Sequence, residues 1–182
     1  MGGCASDDDE ASPTVGTTAP TTTSGPPQLE GADTVPVEES SPSSDTALLT
    51  RVEIGSHESY DRVVFEFRDD LPGYRVEYVD GPLSEDGSGN PVEIDGTAFL
   101  VVRMEPASGF DLSVPEGELV YTGPRRLSGE DAGAATVREV VRTGDFEAVL
   151  TWAIGTNGVT PFVVSTLESP SRLVIDFARP VE

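Results

Sequence analysis

The stretch Arg62-Val63-Val64-Phe65-Glu66-Phe67 alternates in polarity, and this pattern indicates the fold class. Its odd-numbered positions are all apolar, so an extended backbone places them on one face. The even positions of Tyr74–Tyr78 repeat the pattern, and Phe146–Ile154 carries five alternate apolar residues in succession. A period of two is typical of half-buried antiparallel strands. We therefore predict that these three segments are strands of antiparallel sheets.

Segments rich in Gly, Pro, Asp and Asn separate the apolar runs and predict turns; they are Leu71–Gly73, Asp80–Pro82, Asp86–Pro91, Arg142–Asp145 and Gly155–Gly158. Ala98–Val102 is a short continuous apolar run, which predicts a strand buried on both faces. Only Gly129–Val141 shows a helical pattern, and two Gly and three Val residues weaken it. Many short strands with such turns favour an all-β domain, an antiparallel β-sandwich.

Two sixteen-residue segments, Val52–Phe67 and Phe162–Phe177, align without gaps, with five identical and three similar positions. This internal pseudo-repeat predicts that the domain opens and closes with the same turn-and-strand unit, although two amphipathic strands can also be alike by chance.

The pseudo-repeat also makes a prediction about strand pairing. If its two strands are antiparallel neighbours in one register, Arg62 faces Asp176 and Arg172 faces Glu66. Each such cross-strand ion pair contributes roughly 0.2–1 kcal/mol. A parallel pairing in register would instead set Arg62 against Arg172, which is unfavourable.

Composition divides the chain into two parts. Residues 1–47 contain no aromatic or basic residue, and 21 of them are Ser, Thr or Pro. Burial of the few apolar side chains in this part cannot offset the conformational entropy that the backbone would lose on ordering. We therefore predict a disordered tether over 1–47. Residues 48–182 hold every aromatic residue and are numerous enough for one hydrophobic core. We predict that they form a single domain.

Charge and rare residues exclude several classes of function. The net charge is −22, with no lysine and no basic cluster, which argues against nucleic acid as a partner. The same charge limits membrane association to a covalent anchor. One Cys and one His exclude a disulfide framework, a Cys-based zinc site and a multi-histidine metal site. We predict neither a metal nor a cofactor.

The segment Met1-Gly2-Gly3-Cys4-Ala5-Ser6 resembles the end of a bacterial lipoprotein signal, in which small residues precede a Cys that becomes lipidated. Met1 stands where Leu is usual, and the basic and apolar regions of such a signal would lie upstream. An N-myristoylation motif (Met1-Gly2 with Ser6) is a rival interpretation, and an unmodified Cys is a third. We predict Cys4 as a lipid anchor. The absence of lysine suits an actinobacterial source.

The segment Gly55–Phe67 resembles the opening of the actinobacterial AMIN-like domain, which is related to the AMIN domain of peptidoglycan amidases. The likeness continues through Pro72–Tyr74, Asp86–Gly89, Gly96–Leu100 and Arg172–Phe177. AMIN domains are β-sandwiches that localise amidases to the wall, and AMIN-like relatives often stand alone on lipoproteins. The resemblance therefore implies a targeting module without catalytic residues.

The residues themselves offer little for catalysis. His57 is the only candidate general base, and no Gly-x-Ser-x-Gly elbow presents a nucleophile. With 24 acidic residues in the domain, a pair of carboxylates carries no information. Asp86-x-Ser88-x-Asn90 faintly resembles a calcium loop, but Thr97 replaces the final Glu, so a hairpin turn is the better interpretation.

Binding has better support. Tyr60, near His57, is a candidate surface aromatic residue for stacking on a sugar. Arg62 and Arg172 are candidates for holding a peptide carboxylate, unless they form the cross-strand ion pairs instead. We therefore take His57, Tyr60, Arg62 and Arg172 as the candidate ligand-binding residues.

Together, the residues and the resemblance predict a monomeric, non-enzymatic lipoprotein on the extracellular side of the plasma membrane, whose domain binds peptidoglycan. The alternative is a protein-interaction module that recruits or regulates a cell-wall enzyme in trans. A small wall hydrolase is the third possibility considered.

Overall fold

The computed structural model describes residues 1–2 and 29–179. These residues form strands and turns and contain no helix, and hence none long and apolar enough to cross a membrane. The predictions for Cys4 and for most of the tether lie outside the described residues. In chain order the strands are β1 (Val37–Glu39), β2 (Ala47–Ser56), β3 (Tyr60–Phe67), β4 (Gly73–Val79), β5 (Leu83–Ser84), β6 (Pro91–Val92), β7 (Ala98–Glu105), β8 (Ala107–Ser108), β9 (Phe110–Asp111), β10 (Glu118–Leu119), β11 (Arg126–Ser128), β12 (Val137–Phe146), β13 (Val149–Thr156), β14 (Phe162–Leu167) and β15 (Ser171–Ala178).

Two large sheets build the domain. One has six strands in the order β1-β4-β7-β13-β12-β11, and the other has five in the order β14-β15-β3-β2-β8. All neighbours are antiparallel except β2 and β8, which pair in parallel over two residues. Small hairpins, β5–β6 and β9–β10, lie outside these sheets. The prediction of an all-β, antiparallel fold is confirmed.

The inward faces of the two sheets share one hydrophobic core. Trp152 of the six-stranded sheet lies 5.8 Å, ring to ring, from Phe65 of the five-stranded sheet, and 5.6 Å from Tyr121. Phe65 and Trp152 are fully buried. Burial of such a side chain stabilises the fold by about 1.5–3 kcal/mol. The core therefore accounts for the alternating pattern of β3.

The predicted pairing of the pseudo-repeat is confirmed. β3 and β15 are antiparallel neighbours in the five-stranded sheet, with Arg62 opposite Asp176 and Arg172 opposite Glu66. Each repeat is a hairpin, β2–β3 and β14–β15. Of the two expected ion pairs, Arg62–Asp176 forms, whereas Arg172 has no carboxylate oxygen within 4.0 Å among the described residues.

The prediction of one strand over Phe146–Ile154 is wrong. The chain reverses at Glu147 and Ala148, which have φ angles of 51° and 57° and join β12 to β13 in a two-residue hairpin turn. The alternation of apolar residues continues across this turn, so the sequence pattern does not reveal where the strand ends. The turn predicted at Arg142–Asp145 lies instead within β12, at a register shift between Arg142 and Gly144.

Two further predictions need correction. Gly129–Val141 forms a turn and then a strand, because its Val residues favour an extended backbone. Ala98–Val102 alternates between fully and partly buried residues rather than being buried on both faces. By contrast, the interpretation of Asp86–Pro91 as a hairpin turn is confirmed by the pairing of β5 with β6.

The disordered tether predicted over 1–47 is wrong for the part that contacts the domain. Val37–Glu39 forms β1 on the edge of β4, and Asp33 pairs with Phe162 of the other sheet. Main-chain hydrogen bonds fix this segment, so its poverty in large apolar side chains does not prevent it from ordering. The partition into one tether and one domain remains a prediction.

Replacing the β12–β13 turn residues should stabilise the protein. Left-handed backbone at a residue with a side chain costs about 1 kcal/mol or more, and Asn-Gly is the preferred sequence for this turn. We expect the double variant Glu147→Asn, Ala148→Gly to raise the free energy of unfolding by about 1 kcal/mol, measured by urea denaturation. Gly87→Ala is the control of opposite sign, because Gly87 has a φ of +81° and no atoms crowd its Cβ position. An unchanged or lower stability of the double variant would contradict the strain assigned to this turn.

Candidate functional site

His57 and Tyr60 meet at the turn between β2 and β3. The His57 backbone N–H donates to the Tyr60 carbonyl over 2.9 Å, which closes the turn. The two rings stack with their centroids 4.4 Å apart and their planes 24° from parallel. His57 is exposed and Tyr60 is half-buried. The aromatic surface open to a ligand is therefore mainly that of His57.

Arg62 joins this pair but is already engaged. Its Cζ atom lies 5.1 Å from the centroid of the Tyr60 ring, within cation–π range. Its Nε and Nη2 atoms donate to the two carboxylate oxygens of Asp176, each over 2.7 Å. These hydrogen bonds raise the pKa of Arg62 above its ordinary value. Arg62 therefore serves the cross-strand ion pair, the alternative considered from the sequence, and a ligand carboxylate would have to compete with Asp176.

Arg172 is separate from the other candidates. It lies opposite Glu66, four residues along β3 from Arg62, which corresponds to roughly 13 Å. Its Nε atom makes a long contact of 3.4 Å with the carbonyl of Pro170. The other ten arginines each form an ion pair, so Arg172 alone among those in the described residues has its charge unpaired.

Two valines lie between these two positions, of which Val64 is partly exposed and Val174 is buried. Val64 and Val174 face each other between the Arg62–Asp176 and Glu66–Arg172 pairs. The outer face of the five-stranded sheet thus carries the His57–Tyr60–Arg62 cluster at one end of this strip and Arg172 at the other. We call this surface the outer face. Its role in ligand binding remains a prediction.

Asp61, which the sequence did not single out, organises this end of the domain. It is fully buried. Its Oδ2 atom accepts hydrogen bonds from the backbone N–H groups of Thr136 and Val137, over 2.5 and 3.1 Å. Its Oδ1 atom accepts from Nε and Nη2 of Arg179, over 3.0 and 2.8 Å. One carboxylate therefore connects the two sheets and the end of β15.

The sequence does contain a signal for Asp61. It occupies the same alternate face as Val63, Phe65 and Phe67, and an acidic residue on an apolar face must be paired when buried. The partner, Arg179, is 118 residues away in the chain, and nothing local indicates it. Arg179 also donates to the hydroxyl of Ser56, so two polar residues of the Gly55–Phe67 segment belong to this network.

The described residues contain no cluster of three or more His, Cys, Asp or Glu side chains able to hold a metal ion. In the turn at Asp86–Pro91, Ser88 donates a hydrogen bond to Glu85, so this side chain serves the turn itself. The ring of His57 stacks on that of Tyr60, and the Arg62 guanidinium lies over the Tyr60 ring.

A protein-family model described as the AMIN-like domain matches residues 47–179, more than two thirds of the chain. The matched segment begins at β2 and ends at Arg179, so it includes both sheets except β1. No curated protein and no solved structure matches the chain.

Loss of the Asp61 charge should destabilise the domain strongly. Each carboxylate oxygen of Asp61 accepts hydrogen bonds from N–H donors. In Asp61→Asn an NH₂ group replaces one of these oxygens and faces a donor, so those hydrogen bonds are lost. Arg179 also loses its counter-ion. We expect the free energy of unfolding to fall by about 3 kcal/mol, as when a buried ion pair loses one partner. Urea denaturation measures it. Glu53→Gln is the control, because the Arg51–Glu53 pair is exposed and we expect a change within about 0.5 kcal/mol. Equal effects of the two variants would contradict the role of Asp61.

Proposed function

We propose a wall-docking function for this chain on the premise that it belongs to the AMIN-like domain family. The family indicates a peptidoglycan-related role in general and a place in the cell envelope, and its domains are non-catalytic modules. Our finer proposal is a non-enzymatic exported lipoprotein, anchored through Cys4, whose domain binds cell-wall material through the outer face.

The unpaired charge of Arg172 is the observation that carries this proposal. A guanidinium holds a carboxylate through two parallel hydrogen bonds, and it does so best when no carboxylate of its own protein occupies it. The stem peptides of peptidoglycan supply carboxylates. Arg172 lies between Leu167 and Glu66 of the neighbouring strands and is half-buried, so part of its side chain is open to solvent.

The His57–Tyr60 pair supplies a second contact of a different kind. Because the two rings stack, the exposed imidazole is already held in place and loses little conformational entropy when a ligand binds. Flat rings of this kind pack against the faces of sugars. About 13 Å separates Arg62 from Arg172 along the strand. We therefore expect an extended ligand, with a sugar at His57 and a carboxylate at Arg172.

The alternative remains a protein-interaction module that recruits or regulates a wall enzyme in trans. A cluster of exposed apolar side chains at the opposite end of the domain favours it: Phe110, Leu112, Val114, Leu119 and Phe146. The two functions use different surfaces, so they can be tested separately.

Co-sedimentation with protein-free sacculi tests the wall proposal. We expect the full chain to sediment with the sacculi and Arg172→Ala to reduce the bound fraction several-fold, because the variant removes the carboxylate contact. Arg103→Ala is the matched control. It removes the same charge from the six-stranded sheet, where Arg103 is held by Glu105.

The outer face also predicts a difference between ring substitutions. His57→Ala should weaken sedimentation, whereas Tyr60→Phe, which keeps the stacked ring, should leave it near wild type. Equal binding by Arg172→Ala and Arg103→Ala would overturn the assignment of the outer face. Binding only to sacculi that retain their proteins would favour the alternative function.

The proposed anchor has its own test. When the chain is produced in an actinobacterial host behind a lipoprotein leader, we expect it to enter the detergent phase of a Triton X-114 partition. Cys4→Ser should move it to the aqueous phase, because the lipidated thiol is lost. Ser6→Ala is the control, since it leaves the Cys4 thiol in place and should have no effect. A Cys4→Ser variant that still enters the detergent phase would overturn the anchor at Cys4.

A further inference from the structure

A groove of about 830 Å³ lies at the end of the domain where β8 joins the five-stranded sheet. The segment before β2, the start of the β9–β10 hairpin and the β12–β13 turn form its walls. β2 runs from this groove to the His57 turn over ten residues, which corresponds to roughly 30 Å. We call it the end groove. It is separate from the outer face described above.

Exposed apolar side chains form part of the walls of the end groove. Phe146 and Leu112 retain 63% and 82% of their accessible surface, and Phe110 retains 37%. Scattered exposed apolar residues are ordinary, but three of them lining one cavity mark an interaction surface. Phe110 also pairs across the hairpin with exposed Leu119, which extends the apolar surface beyond the groove.

All the charged residues that line the end groove, among those the structure describes, are acidic. Two of them serve the fold. Asp145 accepts hydrogen bonds from the hydroxyl of Ser108 and the N–H of Gly109, and Asp111 accepts two from Ser113. The other two, Asp45 and Glu147, are exposed and form no ion pair within the described part of the chain.

Main-chain hydrogen bonds hold the segments around the end groove together. The Ala107 N–H donates to the Ala148 carbonyl over 2.8 Å, and the Ala47 N–H donates to the Pro106 carbonyl over 3.0 Å, so main-chain bonds join its walls. The Phe110 ring lies against Gly117, where a Cβ atom would stand 2.3 Å from the ring. A preorganised surface loses less entropy on binding.

Glu147 is an unusual residue for its position. It takes the first place of a turn that favours Asn-Gly and adopts a φ of 51° there. Strained backbone is retained where something else depends on it. The strained turn places the carboxylate of Glu147, which has no ion-pair partner among the described residues, beside the apolar side chains of the end groove.

We propose that the end groove binds an extended, basic and apolar polypeptide segment of a partner protein. Its apolar side chains pack between Phe110 and Phe146, and its cationic side chains pair with Asp45 and Glu147. Charge complementarity selects a protein segment of this kind over a second copy of this chain, because the net charge of the chain is −22 and, among the described residues, ten of its eleven arginines already pair with its own carboxylates. This inference does not rest on wall binding.

Synthetic hexapeptides provide the probe. We expect a peptide of alternating arginine and leucine to bind the full chain, measured by isothermal titration calorimetry, with amide shifts in NMR spectra centred on the end groove. Peptides in which glutamate replaces arginine, or serine replaces leucine, should bind at least tenfold more weakly. The first substitution reverses the charge, and the second removes the apolar contact.

Matched variants separate a specific site from general attraction to an acidic protein. Asp45→Asn with Glu147→Gln should weaken binding about tenfold, the effect of losing two ion pairs. Glu130→Gln with Glu168→Gln makes the same change of net charge on exposed residues elsewhere and should alter it less than twofold. Phe146→Ser should also weaken binding about tenfold, whereas Val159→Ser, with the same exposed fraction of 63%, should not.

Equal effects of the two charge variants, or of Phe146→Ser and Val159→Ser, would overturn the proposal and leave only non-specific attraction. A concentration-dependent dimer in sedimentation velocity that Phe146→Ser abolishes would overturn it in favour of a second copy. Arg172→Ala should leave peptide binding unchanged. Failure of the end groove and failure of the outer face are therefore distinguishable.

Discussion

The carboxylate of Asp61 is the interaction on which the arrangement of this domain depends. It is fully buried, and its two oxygens hold the start of β12 in one sheet and Arg179 after β15 in the other. A buried charge without partners would cost several kcal/mol, so its presence requires those donors to stay where they are. The hydrophobic core brings the sheets together, but apolar contacts have no direction. The Asp61 network fixes one relative position of the sheets at this end, next to the His57–Tyr60 turn.

Local patterns were enough to predict much of this architecture. Alternation in β3 indicated antiparallel sheets, and the pseudo-repeat indicated which two strands pair and in which register, because Arg62 and Asp176 have complementary charges. The same reasoning overestimated the second ion pair. Arg172 and Glu66 face each other as expected, yet their side chains remain apart, since exposed ion pairs gain little free energy and need not close.

The errors have physical causes. The β12–β13 turn has Glu147 and Ala148 where Asn-Gly is expected, so turn composition could not reveal it. β1 depends on main-chain hydrogen bonds to an edge, which side-chain composition does not record. The end groove combines residues from three distant parts of the chain, and only the folded structure brings them together. Of the candidate binding residues, the structure brings together His57, Tyr60 and Arg62, which are close in sequence, and holds Arg172 apart from them.

The short β1 strand has a mechanical consequence. Residues 33–39 bridge the edge strands β14 and β4, and they precede the segment that the AMIN-like family model matches. Within the described residues 29–179, tension applied through residue 29 would reach these few hydrogen bonds before the other strands. Peeling residues 33–46 away would lengthen the connection by up to about 45 Å while both sheets keep their central strands. The segment would then extend under tension by breaking these hydrogen bonds and would pair with β4 and β14 again when the tension is released.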